Sequence, residues 1–455
     1  MNKTAEPEIE TEKQAFDSKY AWYVVAVLML AAVSSFVDRQ ILNLLVGPIR
    51  RDLQISDTAM SLLMGFSFAI FYTILGLPIG RLADTKSRRL IIAVGIAFWS
   101  LMTAVCGIVQ SYGQLFLARV GVGIGEATLS PSAHSLIADY FPKEKLATAF
   151  SVYTTGIYIG SGMAFLLGGL VIAFASEQGT VDVPLIGTIF NWQVIFFYIG
   201  LPGLLIAALA LTIREPLRRG SLLIKGATAA VSIRDVAAHI RANWKTFFCH
   251  NIGYSFFIMA GYGGAAWIPT FFIRTYEWTA PQVGLVYGLS IMIFGTIGVL
   301  LGGLYSDRLS AKGYTDARLR VGIFAALGLI VSSILMTLAP TGWMAAAMLI
   351  PANLCATFPI GAAAAAIQPI VPNQMRAQAM AVYLFIQNLL GLGIGPTLVA
   401  VVTDYVFGYD GAVRYSILII NVMALSIAAV ILWLGLASYR NSIAEMQQII
   451  DINKN

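Results

Sequence analysis

Long apolar runs separated by short polar segments make up almost the whole chain. About 20 consecutive apolar residues span the hydrocarbon core of a bilayer as a helix. Runs of about this length or longer lie at 20–46, 58–79, 90–109, 114–138, 146–172, 192–213, 246–272, 282–304, 319–338, 342–369, 377–402 and 414–437. They are continuous rather than alternating, which favours helices over the short strands of a β-barrel. The pattern predicts an all-α integral membrane protein of about twelve transmembrane helices.

The composition agrees with this class. Apolar residues make up 58% of the 455 residues and charged residues only 11%, whereas soluble proteins are about 45–50% apolar and about 25% charged. The three cysteines, Cys106, Cys249 and Cys355, lie in apolar segments without the spacing of a metal site or redox motif. With no metal cluster, nucleotide loop or nucleophile motif, we expect neither an enzyme nor a bound metal or cofactor.

The net charge of +6 does not indicate a nucleic-acid partner, because the basic residues lie in short loops between apolar runs. If the N-terminus is cytoplasmic, the outer loops carry only Arg50, Arg51, Arg274 and Arg414, and the inner loops carry many more Lys and Arg residues. By the positive-inside rule both termini are cytoplasmic. We expect a multi-pass protein of the bacterial inner membrane.

The longest inner loop divides the chain into two groups of six helices. We predict a cytoplasmic tail, an N-terminal bundle, a cytoplasmic linker, a C-terminal bundle and a second cytoplasmic tail at residues 1–19, 20–213, 214–245, 246–437 and 438–455. Within the linker, "IRDVAAHIRANWKTF" has the pattern of a basic amphipathic helix on the membrane surface.

Two pairs of motifs recur at matching places in the halves. "GRLADTKSRR" follows the second run and "GLYSDRLSAKG" follows the eighth, each with Gly and Asp four residues apart and basic residues behind them. "DYFPKEKLATA" and "PIVPNQMRAQA" follow the fourth and tenth runs. Parallel repeats of this kind are typical of transporters built from two pseudo-symmetric six-helix bundles.

These motifs resemble the major facilitator superfamily over nearly the whole chain. The resemblance implies its fold, an alternating-access mechanism and a cytoplasmic gating motif. Glycine permits close helix approach, and the acid meets arginines and a helix N-terminus. The gating residues are Gly80, Asp84, Arg88, Arg89, Gly303, Asp307 and Arg308.

Two stretches narrow the resemblance within the superfamily. "VDRQILNLLVGPIRRDLQIS" and "RVGVGIGEATLSPSAHSLIADYFPKEK" are similar to the spinster branch, whose members carry sphingolipids or lysophospholipids with apparent proton coupling. Anion–cation symporters for sugar acids share the Asp-Arg pair and the Gly-Glu-Ala. Asp139 and its surrounding sequence favour the spinster branch. The resemblance implies a proton-coupled secondary transporter of amphipathic lipids, with a symporter of small organic anions as the alternative.

Four ionisable residues in apolar runs are the candidate proton-coupling and substrate residues. Asp38 and Arg39 lie in the first run, and Arg119 and Glu126 lie on one face of the fourth, seven residues apart. Glu126 and Arg39 reach similar depths, roughly 18 and 14 Å from the outer helix ends. We expect Arg39 to pair with Glu126, and Asp38 to face Arg119.

In a purely structural interpretation, these four residues form a charged contact that only orients the helices. Ions at membrane depth more often mark transport pathways, so we favour a mechanism in which protonation of Asp38 or Glu126 releases an arginine and shifts the inward–outward equilibrium. The sequence leaves open which acid carries the proton.

The C-terminal runs differ from the N-terminal runs in having few ionisable residues. Their polar content is Asn353, Gln368, Gln387, Asn388 and scattered hydroxyls. A cavity with one charged and one apolar wall suits an amphipath. We therefore expect an amphipathic lipid or organic anion, protons and membrane lipids as partners, and a monomer. A scramblase or a receptor that does not transport is a different class, and no loop supplies a signalling domain.

Overall fold

The computed structural model describes residues 18–175, 179–184, 187–216 and 233–452. The N-terminal half contains α1 (Ser18–Gln40), α2 (Val46–Leu53), α3 (Asp57–Ser61), α4 (Ser67–Thr85), α5 (Arg88–Val105), α6 (Tyr112–Glu126), α7 (Leu129–Tyr140), α8 (Lys143–Ala175), β1 (Thr180–Val183), β2 (Gly187–Phe190) and α9 (Asn191–Leu211). A 3₁₀ turn (Ile41–Leu44) follows α1, and a π-helical turn (Leu62–Phe66) joins α3 to α4.

The remaining helices are α10 (Ile233–Ala242), α11 (Trp244–Tyr276), α12 (Ala280–Ser290), α13 (Thr296–Ala311), α14 (Ala317–Thr337), α15 (Gly342–Thr357), α16 (Ile360–Ile367), α17 (Arg376–Gln387), α18 (Gly395–Val401) and α19 (Val413–Ile452). Three π-helical segments lie between them, at Ile291–Gly295, Asn388–Ile394 and Val402–Phe407. Short 3₁₀ turns occupy Gln368–Ile370, Asn373–Met375 and Asp410–Ala412.

The described residues contain 11 helical segments long and apolar enough to cross a membrane. The fourth predicted run, 114–138, is instead divided into α6 and α7, of 15 and 12 residues. Pro131 is the third residue of α7, and a proline has no N–H with which to continue the hydrogen-bond ladder from α6. The prediction of one continuous helix was wrong here, and Glu126 becomes the last residue of α6.

Other boundaries also differ from the predicted ones. The helix α10 lies within the predicted linker, α11 begins inside that linker at Trp244, and α19 continues into the predicted C-terminal tail as far as Ile452. Residues 1–17 of the N-terminal tail and 217–232 of the linker lie outside the described residues. The antiparallel hairpin of β1 and β2, which pairs Thr180 with Phe190, was not predicted.

The two halves repeat a packing scheme. In the first half α5 packs against α9, and in the second α14 packs against α19 at the same topological place. Smaller apolar clusters lie within each half, and the largest cluster of buried apolar residues continues across both halves. The observed architecture confirms the predicted fold class.

Glycines bring the halves into close contact along α8 and α12. A Cβ atom built on Gly284 would lie 2.3 Å from the Phe165 carbonyl oxygen, and one on Gly288 would lie 2.7 Å from that of Gly162. On the other side of the molecule, a Cβ on Gly65 would lie 2.3 Å from the Leu392 carbonyl oxygen. Small residues permit this backbone approach between helices.

Ion pairs join the halves at one end of the helices, here called the Asp57 end; the opposite end, next to the linker, is called the linker end. Arg274 holds Asp57 with two hydrogen bonds of 2.6 and 2.8 Å. Arg50 contacts Asp57 at 3.0 Å and Asp410 at 2.8 Å. Asp57 and Arg50 belong to the first half and Arg274 and Asp410 to the second, so the Arg274–Asp57 and Arg50–Asp410 pairs join the halves at the Asp57 end.

The gating glycines Gly80 and Gly303 have open space beside them in this conformation. Neither Gly80 nor Gly303 would bring a Cβ atom within 4 Å of a neighbour. The neighbouring Gly302 makes the close contact instead, since its Cβ would lie 1.7 Å from the Phe358 carbonyl oxygen. The gating role of Gly80 and Gly303 stays a prediction.

Replacing Gly302 with alanine should therefore separate α13 from the segment after α15. We expect Gly302→Ala to destabilise the protein by about 1–3 kcal/mol, as overpacking usually does, and to lower its melting temperature in nanodiscs. The matched control Gly303→Ala should leave the melting temperature unchanged or slightly raised, because alanine is the better helix former. Equal losses in both variants would contradict this account.

Candidate functional site

A buried ion pair joins α1 to α6. The Arg39 Nη2 atom donates to Glu126 Oε2 at 2.7 Å, and the Ser35 hydroxyl donates to the same oxygen at 2.5 Å. Arg39 is 8% exposed and Glu126 2%. The pair expected from matching helix depths is therefore present, and Ser35 is an addition that the sequence analysis missed.

Aromatic rings surround the Arg39 guanidinium. Its central carbon lies 4.1 Å from the Phe68 ring centroid and 4.6 Å from that of Phe36. Tyr72 stacks on Phe68 with 5.1 Å between ring centroids. Ring faces attract cations, most strongly where water is excluded, so the carboxylate and the rings together hold this buried charge.

Asp38 and Arg119 are neighbours but do not form the expected side-chain pair. Arg119 Nη1 donates instead to the backbone carbonyl of Asp38 at 3.2 Å. That carbonyl lies in the last turn of α1, where helical carbonyls lack intrahelical partners, so the guanidinium satisfies the main chain. Among the described residues, the Asp38 carboxylate faces the Trp99 and Thr103 side-chain donors, but none of these atoms forms a hydrogen bond of normal geometry.

A cavity of about 360 Å³ lies mainly in the C-terminal half. Aliphatic and tyrosine side chains form most of its wall, and its amide-bearing residues are Gln40, Asn353, Gln387 and Asn421. Among the described lining residues there is no Asp, Glu, Lys, Arg or His.

The expected polar residues of this half are only partly in the cavity wall. Asn353 and Gln387 line it, whereas Gln368 and Asn388 are not among the described lining residues. Asn421 was missed because its run reads as an ordinary apolar helix. The sequence signal for Asn421 was a single amide side chain within an otherwise apolar run.

A thin partition separates this cavity from the ion pair. Gln40 and Tyr262 line the cavity and also line a second space of about 10 Å³ that Arg39 reaches. The charged pair and the apolar cavity are therefore adjacent, with two polar side chains between them.

The predicted gating arginine Arg88 is a buried side chain that forms an ion cluster at the linker end. It is 1% exposed, pairs with Asp139, and donates from Nε to Glu215 Oε1 at 2.7 Å. The Arg89 backbone N–H donates to the other Glu215 oxygen at 3.1 Å. Arg88 and Asp139 belong to the first half, and Glu215 lies at the start of the predicted linker, after α9 has ended. The arginine therefore joins α5 and α7 of one bundle to the segment that follows α9. Asp139 and Glu215 were not predicted as its partners.

The second half assembles a different cluster from the predicted one. Asp307 and Arg308 are exposed, and the side chain of Asp84 lies outside the described residues. Instead, Asp316 accepts hydrogen bonds from Arg320 at 2.6 Å and Arg440 at 2.5 Å. The i,i+4 spacing of Asp316 and Arg320 was the available sequence signal, but the approach of Arg440 depends on packing.

Removing one partner of the Arg39–Glu126 pair should be more harmful than removing both. A buried charge left alone destabilises a protein by about 3–5 kcal/mol. We expect Arg39→Met and Glu126→Leu each to lower the melting temperature in nanodiscs, and the double variant to recover most of the loss. Losses that simply add would show that the two side chains are not coupled.

The Glu215 cluster predicts an acid-sensitive contribution to stability. Burial disfavours the charged form, but hydrogen bonds from Arg88, Arg89 and Ser87 outweigh it and lower the pKa of the Glu215 carboxyl from its ordinary value of 4.5. A carboxylate with a lowered pKa stabilises the fold above its ordinary pKa and loses that effect as the pH falls through the lowered pKa.

The wild type should therefore melt at a higher temperature than Glu215→Gln at neutral pH. We expect this difference to shrink as the pH falls below about 4.5. The exposed Glu445 provides the matched control, since Glu445→Gln should show no such pH-dependent difference. If the melting temperature of Glu215→Gln stays below that of the wild type by the same amount at acid pH, the carboxylate charge does not have this role.

Comparisons with known proteins agree with this architecture. Residues 28–396 match the family model of the Major Facilitator Superfamily. An MFS-type efflux pump of Mycolicibacterium smegmatis is 31% identical over 93% of this chain and 95% of its own length. A probable L-galactonate transporter of Escherichia coli is 27% identical over 65% of this chain and 63% of its own.

A solved structure is similar over nearly the whole chain. It is the crystal structure of a bacterial homolog to the human lysosomal transporter Spinster, inward-facing and unoccupied, with a TM-score of 0.76 and 26% identity over 95% of this chain and 98% of that one. The predicted spinster-like resemblance is confirmed, and so is the prediction that the protein is not an enzyme. The chain belongs to the major facilitator superfamily of membrane transporters.

Proposed function

We propose that this protein is a proton-coupled secondary transporter of amphipathic lipids of the lysophospholipid or sphingolipid type, working by alternating access. The observation that carries the proposal is an apolar, uncharged cavity wall next to a buried Arg39–Glu126 pair. Such a cavity takes a hydrocarbon tail, while a charged head group lies toward Gln40, Tyr262 and the arginine beyond them.

The ion pair supplies the coupling in this proposal. Protonation of Glu126 removes the charge that holds Arg39, and the freed guanidinium then binds the anionic part of the substrate. A proton changes the balance of conformations only if the two states bind it differently, and the buried pair provides that difference. Asp38 and Arg119 form the second candidate site, because the Asp38 carboxylate is buried beside an arginine.

The conformation fits one step of an alternating-access cycle. With both termini cytoplasmic, as the loop charges indicate, the Asp57 end is extracellular and its ion pairs close that side. The opposite state requires the Arg274–Asp57 and Arg50–Asp410 pairs to separate and the linker ends of the halves to approach. The gating residues near Asp84 and Asp307 would then meet across the halves. We propose that the protein does this as a monomer in the bacterial inner membrane.

The alternative substrate is a small organic anion. The Escherichia coli relative named a probable L-galactonate transporter supports it. A sugar acid needs many hydrogen-bond partners along its length, whereas aliphatic and aromatic residues form most of this cavity wall. The lining therefore favours an amphipath.

Flux in proteoliposomes tests the proposal. We expect a pH gradient to accelerate movement of labelled lysophosphatidylglycerol, and Glu126→Gln to abolish that acceleration, because the variant cannot exchange a proton at this position. The control Glu445→Gln should behave like the wild type.

Two other outcomes would overturn the proposal in different ways. Lysolipid movement that ignores the gradient would identify a scramblase. Gradient-driven movement of L-galactonate without lysolipid movement would identify an organic-anion symporter.

A further inference from the structure

We infer that α14 and α19 build a hydrogen-bonding subsite in the cavity wall, which binds a neutral hydroxyl or amide N–H group of the transported molecule. Asn421 on α19 donates from Nδ2 to the Ser333 hydroxyl on α14 at 3.2 Å. Asn421 is 4% exposed and Ser333 1%, and both line the cavity. The identity of the bound molecule as a transported amphipath rests on the proposed function. The position of the subsite follows from the contacts of Asn421 and Ser333.

One atom of this pair has no partner. Among the described residues, the buried Asn421 Oδ1 atom accepts no hydrogen bond. Buried polar atoms in native proteins nearly always have a partner, and leaving one without a partner is unfavourable. The Ser333 hydroxyl already accepts a hydrogen bond from the Asn421 amide nitrogen, so the Asn421 carbonyl oxygen is the atom available to a ligand. A carbonyl oxygen accepts only, so it selects a group that donates.

A glycine leaves space beside this amide. A Cβ atom built on Gly264 of α11 would lie 3.4 Å from Asn421 Nδ2 and 3.9 Å from Oδ1. Glycine inside a helix is about 1 kcal/mol less favourable than alanine, and here the missing side chain leaves space next to the amide. Gly264 itself lines that cavity.

The surroundings favour a neutral donor over a cation. The described lining residues include no acidic side chain that would balance an ammonium group, and a buried charge without a partner is strongly unfavourable. A second amide–hydroxyl pair stands in the same half, where Asn353 on α15 donates to Ser290 on α12 at 2.9 Å. Asn353 also lines the cavity. The amide groups of the wall are therefore separate polar positions within a mostly apolar surface.

Binding of three matched neutral probes tests the subsite. Monolauroylglycerol carries hydroxyls, lauramide carries an amide N–H, and methyl laurate has the same acyl chain without a donor. We expect the wild type in nanodiscs to bind each donor-bearing probe about 5–10-fold more tightly than methyl laurate, the equivalent of one neutral hydrogen bond. Asn421→Leu should reduce both to the affinity of methyl laurate.

A pair of adjacent serines provides the control. Ser333→Ala frees the Asn421 amide to rotate and should weaken the preference for donors. Ser332→Ala should leave it intact, because the Ser332 hydroxyl bonds to the Gly328 carbonyl at 2.8 Å and is not among the described lining residues. If Asn421→Leu fails to fold, the two serine variants still decide the matter.

Equal binding of all three probes by the wild type, or a donor preference that survives Asn421→Leu, would overturn the subsite. The measurement needs neither transport nor a proton gradient. A protein that prefers donor-bearing probes but moves no lysolipid would refute the proposed function and support the subsite. A protein that moves lysolipid without preferring these probes would support the proposed function and refute the subsite.

Discussion

The rest of the structure depends on burying the Arg39 charge inside a helix bundle. A carboxylate, a hydroxyl and two aromatic faces surround the guanidinium, and they come from three helical segments. Glu126 is the last residue of α6, just before the turn at which Pro131 breaks the helix. The charge therefore determines how α1 and α6 meet, and it lies one layer of side chains from the cavity.

The two ends of the molecule use ions in different ways. At the Asp57 end, Arg50 and Arg274 join the halves, whereas at the linker end Arg88 and Asp316 form pairs within their own halves. Ion pairs across an interface can separate and reform as it opens, while those inside a bundle keep the bundle rigid. In the proposed alternating-access cycle, the two halves would move as rigid bodies about the glycine-rich contacts of α8 with α12.

The two halves contribute different side chains to the site, although they share a topology. The charged pair next to the cavity lies in the first half, whereas the buried acid of the second half, Asp316, lies at the linker end. The second half supplies most of a cavity wall that carries amides but no formal charge among its described residues. Duplicated folds permit this, because packing constrains the helices of both halves alike and leaves the inward-facing side chains free to diverge.

The sequence by itself determined the membrane class, the two-bundle organisation and the Arg39–Glu126 pair. These follow from hydropathy, repeats and helical depth, which are local properties. Tertiary structure decided which groups meet where several partners are within reach. Arg119 bonds to the Asp38 backbone rather than to its carboxylate, Gly302 rather than Gly303 makes the close contact, and Asn421 enters the cavity wall. Such outcomes depend on rotations and approaches of about an ångström between helices distant in the chain, and side-chain periodicity carries no information at that scale.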